Sequence, residues 1–290
     1  MKTPQFFVCL LVFLSLTLSG KARDVQVAGS DYIPEALIDA LREFASKEGD
    51  ELEVDLGGSL LAFRQFYEGE ADIILVAMPF QRPEDLEFPV FPFGFQIGAV
   101  VVNADNPITS MTQQQLGGVF GALNENAIAR WSELGLTGTW QNRNIAAAYA
   151  NSGKSPILDL FSNRFLQGDP IRSGIQEFSS DIRLESFVSN DDATIGIVDS
   201  LPLSSDLKTI RIQTSDGGVS FGPTLENINY GDYPLSLEYF VCVPMSQYRF
   251  LAPYIEFLLS DEVAEILQRE RFFPLLRSRR LQLIEELPTS

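Results

Sequence analysis

Apolar positions along the chain recur with two periods. Val25-Gln26-Val27-Ala28 and the alternating Leu52-Glu53-Val54-Asp55-Leu56 read as strands. Ala71–Ala77 is a nearly continuous apolar run of the kind buried on both faces of a parallel sheet. Between these runs, Ile33, Leu37, Ile38, Leu41 and Phe44, and then Leu60, Leu61, Phe63, Phe66 and Tyr67, recur at the helical period. Pro34 suits the first turn of the earlier helix, and Gly49 suits its end. Three successive strand–helix alternations predict an α/β sheet, whose ligands sit beyond the carboxyl ends of its strands. Farther along, Phe95–Asn103 predicts one long strand, and Thr112 caps a short helix carrying Leu116, Val119 and Phe120. Later strands are expected at Ile195–Val198, Thr209–Ile212 and Leu237–Val243, with closing helices at Pro253–Leu259 and Asp261–Arg271. Nothing repeats, and no low-complexity tract separates one half from another.

Composition narrows the picture. The chain has 290 residues, 45% of them hydrophobic, enough for a substantial core and one or two domains. Lys2 precedes an apolar run from Phe6 to Leu18, and Ser19-Gly20-Lys21-Ala22 follows it. A basic start, an apolar core too short to span a membrane comfortably and small residues behind it predict a secretory signal peptide over residues 1–22. Removing it leaves Cys242 as the one cysteine, so neither an internal disulfide nor a cysteine metal cluster is expected. Histidine is absent, which excludes histidine triads, histidine metal sites and imidazole acid–base chemistry. A formal net charge of −18 argues against nucleic acid and anionic lipid as partners. Asp191-Asp192 is an adjacent acidic pair of the kind that is usually a solvated loop.

The stretch Ala148–Ser155 carries the most pointed chemistry. A short apolar run, Ile145–Ala148, leads into Asn151-Ser152-Gly153-Lys154-Ser155 and then a helical pattern through Ile157, Leu160, Phe161 and Phe165. A strand running into Ser-Gly and then a helix aims free N–H groups at one point, at the positive end of the helix dipole. The same residues form a phosphate-loop pattern with alanine in place of the first glycine, and Ile195–Asp199 could serve as the strand ending in a magnesium-holding aspartate. That nucleotide-hydrolase reading sits badly with secretion, because ATP is scarce outside the cytoplasm.

Four motifs favour another reading. Val101-Val102-Asn103-Ala104-Asp105-Asn106-Pro107-Ile108, with Met111–Leu116 and Phe120, stands ahead of Trp131-Ser132-Glu133-Leu134-Gly135. Gly69-Glu70-Ala71-Asp72-Ile73, Ala193–Val198 and Tyr233-Pro234-Leu235-Ser236 complete the set. In this order, over nearly the whole mature chain, they resemble the substrate-binding proteins of phosphate ABC importers, which are type II periplasmic binding proteins. The resemblance implies two α/β lobes joined by two crossovers, with the ligand in the cleft between them. One lobe would hold residues 24–103 and 237–290, the other 104–236. Asp72, Asn106, Pro107 and Trp131 would be structural.

The resemblance also implies a metal-free anion site without catalytic residues or cofactor. Transferred position by position, it falls on Asp31 where the family has a threonine, Tyr32 as a backbone donor, and Ser59 at the second helix start. It continues at Ala77 where a ligand-touching aspartate or serine stands, at Ser152 and Gly153, and at Lys154 in place of a threonine. The family arginine falls on Ala148. The backbone cradle is thus kept, while the guanidinium is lost and a carboxylate gained. Lys154 is expected as a substitute point cation lacking the planar two-pronged fit. Asp31 would either receive a proton from a protonated ligand or cap the helix after Pro34. The expected function is non-enzymatic binding of phosphate or a related oxyanion, as a monomer, for the membrane permease of an ABC importer. Its rivals are a changed ligand, and a sensing or adhesive role on the same fold.

Overall fold

The computed structural model describes residues 23–78, 87–123, 126–153, 155–214 and 217–288. The expected signal segment and Lys154 lie outside the described residues. The chain enters through β1 (Arg23–Gly29), α1 (Glu35–Glu48), β2 (Asp50–Asp55), α2 (Ser59–Glu68), β3 (Ile73–Met78) and β4 (Val90–Ile97). It passes into a second body through β5 (Ala99–Asn103), β6 (Ser110–Thr112), α3 (Gln113–Phe120), β7 (Ala146–Ala150), α4 (Ile157–Phe165) and β8 (Gln176–Phe178). That body continues through α5 (Asp181–Asn190), β9 (Thr194–Val198), β10 (Leu207–Thr209), β11 (Arg211–Gln213), β12 (Ser220–Phe221) and α6 (Leu225–Asn229). The return is made by β13 (Ser236–Cys242), α7 (Tyr248–Leu258), α8 (Asp261–Arg269), β14 (Phe273–Pro274) and α9 (Arg277–Glu285).

Two mixed sheets with flanking helices result, with a small three-stranded sheet of order β12-β11-β6 beside them. The first has the order β14-β4-β13-β3-β1-β2, and the second β10-β5-β9-β7-β8. In the first, β1 lies parallel to both β2 and β3, so the connection through α1 runs from β1 to β2 and the one through α2 runs back past β1 to β3. The switch point between β1 and β3 is where open α/β sheets bind ligands, outside the strand carboxyl ends. Helix α1 faces this sheet with Leu37, Ile38, Leu41 and Ala45 buried, and each large aliphatic side chain so buried contributes about 1.5–3 kcal/mol.

The strand expected over Phe95–Asn103 is two strands. Gly98 separates β4, in the first sheet, from β5, in the second, so residues 99–103 pair with β9 and β10. The chain therefore leaves the first body at Gly98 and returns just ahead of Ser236. These two crossings lie side by side: the Gly98 N–H donates to the Leu235 carbonyl at 2.9 Å, and the fully buried Tyr233 hydroxyl donates to the Gly98 carbonyl at 2.9 Å. A Cβ at Gly98 would stand 2.3 Å from Cγ2 of Ile157, at the start of α4, and 2.9 Å from Cδ2 of Leu235. Arg164, near the end of α4, fastens the returning strand by donating to the Pro234 carbonyl at 2.7 Å.

Helix α7 begins at Tyr248, ahead of Pro253 rather than at it. Leu251 and Ala252 before the proline, and Tyr254, Ile255 and Leu258 after it, form one buried face. That burial offsets the roughly 3 kcal/mol cost of an interior proline. Of the four residues expected to be structural, Pro107 is exposed and the other three are engaged in the framework. Asp72 accepts from the Gln26 N–H and the Gln247 amide, the buried Asn106 bridges the Asp192 carbonyl to the Ile108 N–H, and the buried Trp131 indole donates to the Ala193 carbonyl. Asp192 is paired with Arg143, whose hydrogen bonds hold its carboxyl below the ordinary range. Among the described residues, no helix is long and apolar enough to cross a membrane.

The crossing generates a stability prediction. Gly98→Ala overpacks the contact with Ile157 and Leu235, at a cost of about 1–3 kcal/mol, and should lower Tm by several degrees. A thermal melt of the variant that overlays the parent would show that the crossings are not in this close contact.

Candidate functional site

Two cavities lie along the cleft. The first, of about 280 Å³, opens at the switch point of the first sheet. Ser30, Asp31 and Tyr32 reach it from the end of β1, Ala77 from the end of β3, and Ser59 from the start of α2. Pro156, Asp159, Leu160 and Asn163 close it from α4 of the other lobe. Asp31, Tyr32, Ser59 and Ala77 are therefore brought together.

Each position has a local cause. Ser59 opens α2, whose N-terminus is not capped by a side chain, so its first-turn N–H groups remain available beside the cavity. The Ser59 hydroxyl accepts from the Ala77 N–H at 3.1 Å, which ties α2 to the end of β3 and leaves the hydroxyl hydrogen to donate. Ser30 is engaged inward, accepting from the Tyr32 N–H at 3.3 Å and bonding the Tyr239 phenol. Asp31 is exposed and caps nothing: α1 has no side-chain cap. Burial pushes the Tyr32 phenol up, and the charges of Asp31, Asp159 and Asp199 push it further.

Ser152 stands in the second cavity, of about 320 Å³, with Gln96, Ser155, Asp181, Asp199 and Arg271 among its walls. Its hydroxyl lies 3.5 Å from an Asp199 carboxylate oxygen. Gly153 lines neither cavity. It sits exposed at φ 67°, a left-handed conformation glycine takes without strain, with its N–H on the Asn151 side chain at 3.2 Å. Ala148 is buried in β7. Ser152 thus lines the second cavity, whereas Asp31, Tyr32, Ser59 and Ala77 line the first.

A polar chain joins the cavities. Ser30 bonds Tyr239, whose hydroxyl donates to Gln96 Oε1 at 3.0 Å. Gln96 reaches Ser155 at 3.4 Å, and Ser155 bonds Asp199. The chain crosses from the first lobe to the second through Tyr239 and Gln96, both buried. Burial, reinforced by the Asp181 charge, pushes the Asp199 carboxyl up to about 7. Burial raises Asp181 as well, while the Asp199 N–H and the Ser200 hydroxyl donate to it and hold it at the end of β9. Arg271, at φ 65°, reaches across from the first lobe to donate to the Leu201 carbonyl.

Sequence reading passed over Asp159, Asn163, Asp181, Asp199 as a cleft residue, Gln96 and Arg271. Asp159 is an ordinary first-turn acid until α4 is seen to point its start at the cleft. Among the described residues, no cluster of three or more metal-ligating side chains is present.

With this geometry in view, residues 17–262 match the family described as the PBP superfamily domain. The phosphate-binding protein PstS of Pseudomonas aeruginosa is 22% identical over 289 residues, covering 93% of this chain and 88% of that one. Protein SphX of Synechococcus elongatus is 26% identical over 218 residues, covering 71% and 64%. Among solved structures, PstS from Borrelia burgdorferi superposes with a TM-score of 0.71 at 16% identity, covering 88% of this chain and 99% of that one. A possible phosphate-binding protein from Planctomyces limnophilus superposes with a TM-score of 0.67 at 20% identity, covering 91% and 97%. The chain belongs to the PBP superfamily and has a two-lobed architecture with a cleft between the lobes.

Proposed function

We propose that this is an extracytoplasmic solute-binding protein that takes a small oxyanion-bearing solute in its cleft, as a monomer, and presents it to the permease of an ABC importer. The observation that carries the reading is the meeting of Ser59 and the uncapped start of α2 with α4 across the switch-point cavity. Backbone and hydroxyl donors gathered there suit an oxyanion without metal. The names of the relatives, phosphate-binding protein PstS among them, make phosphate the first anion to test. The signal-like segment at residues 1–22 supports export.

Charge qualifies affinity. No lysine or arginine among the described residues lines this cavity, and Asp31 and Asp159 both do. A dianion placed there gains donors and meets two carboxylates. Each charge-assisted hydrogen bond is worth about 1.5–3 kcal/mol, so an anion site without a guanidinium should be weak by tenfold or more. The magnesium-nucleotide reading loses its support: Ser152 and Gly153 belong to a loop of a superfamily binding protein, and Asp199 bonds serines inside the cleft.

Two outcomes follow. In calorimetry against phosphate and sulfate, Asp31→Thr should tighten binding about tenfold by adding a hydroxyl and removing a like charge. Weaker binding by this variant would show that Asp31 assists the anion. Sulfate affinity should also rise as pH falls from 8 to 6, because Asp199, with its carboxyl at about 7, is charged above that range and neutral below it. Sulfate itself does not titrate there, so the slope reports the protein. Asp199→Asn should flatten it, and an unchanged slope in that variant would remove Asp199 from the account.

A further inference from the structure

We infer that the solute of the switch-point cavity carries an ammonium group as well as an oxyanion, a small zwitterion in place of an inorganic anion. The inference rests on the proposed reading of this cleft as the ligand site and names the solute class within it. Asp31 and Asp159 enter the cavity from opposite lobes. Neither makes an ion pair or hydrogen bond among the described residues, and the charges of both add to burial in pushing the Tyr32 phenol up.

Ser59 and the first turn of α2 give the cavity hydroxyl and backbone donors, with the Asp31 carboxylate beside the start of α2 and Asp159 on α4. These two carboxylates are its charged side chains among the described residues. An inorganic anion satisfies only the first set and is repelled by the second. An ammonium held between Asp31 and Asp159 forms charge-assisted bonds to both, and the Tyr32 ring beside them adds an aromatic partner for a cation. Ala77, Leu160 and Leu237 supply an apolar wall for a short carbon linker joining the two charged ends. A volume of about 280 Å³ is at the small end of ligand sites and suits a solute of this size. Because the carboxylates come from different lobes, a bridging ammonium also favours the closed arrangement over an open one.

The test compares O-phosphoethanolamine with ethyl phosphate and inorganic phosphate, by calorimetry on the purified protein at pH 7 and low salt. The first two probes share an oxyanion and differ in the amine. O-Phosphoethanolamine should bind at least tenfold more tightly than ethyl phosphate. Asp31→Asn and Asp159→Asn, both isosteric changes at exposed positions, should each remove most of that advantage while leaving the melting curve in place. Equal or tighter binding of ethyl phosphate overturns the inference. So does an amine advantage that survives both substitutions. If phosphate and ethyl phosphate bind and the amine adds nothing, the oxyanion reading stands and this one falls. If none of the three binds, both fall.

Discussion

Everything in this molecule depends on two strands crossing between sheets at one point. Gly98 and Leu235 share a backbone hydrogen bond there, and the buried Tyr233 hydroxyl closes the contact from the other side. The absence of a side chain at Gly98 lets Ile157 come close, which sets the start of α4 against the crossing. Since α4 also supplies Asp159 and Asn163 to the switch-point cavity, the close packing that joins the lobes also aims the cleft wall.

Electrostatics then gives the cleft its character. The fold offers unpaired backbone donors at the switch point, as a site for anions requires, yet the described side chains around them are carboxylates. Asp31 and Asp159 are exposed and have no ion pair or hydrogen bond among the described residues, whereas Asp181 and Asp199 are partly buried and bonded to neighbouring hydroxyls and backbone. The second pair stays compatible with folding because burial raises both carboxyls and the Asp181 charge raises Asp199 further, so protonation relieves the charge. The buried chain from Ser30 through Tyr239 and Gln96 to Ser155 and Asp199 couples the state of that carboxyl to both lobes.

The alternation of periods along the first part of the chain was enough to read its strands and helices, because β1 to β3 and α1 to α2 are regular and strongly patterned. Helix α9 was not legible: Arg277, Ser278, Arg279, Arg280 and Gln282 dominate it, and Leu283 is its one buried apolar residue. The break at Gly98 was hidden because apolar residues continue through it, and only the third dimension assigns the two halves to different sheets. At the site, Asp31, Tyr32, Ser59 and Ala77 were legible as a group from the resemblance, since each follows or opens a regular element. Ser152 and Gly153 stand in or beside a neighbouring cavity, a separation that depends on the path of the loop before α4 and has no mark in the residue pattern. Asp159 was invisible for the converse reason, an unremarkable acid made significant by the direction of a helix.

The most direct measurement is a crystal structure of the protein grown with saturating phosphate. The account predicts density for the anion between the first turn of α2 and α4, within hydrogen-bond distance of Ser59. An anion bound instead at the Ser152–Gly153 loop, or a cleft with no anion while the lobes are closed, would contradict it.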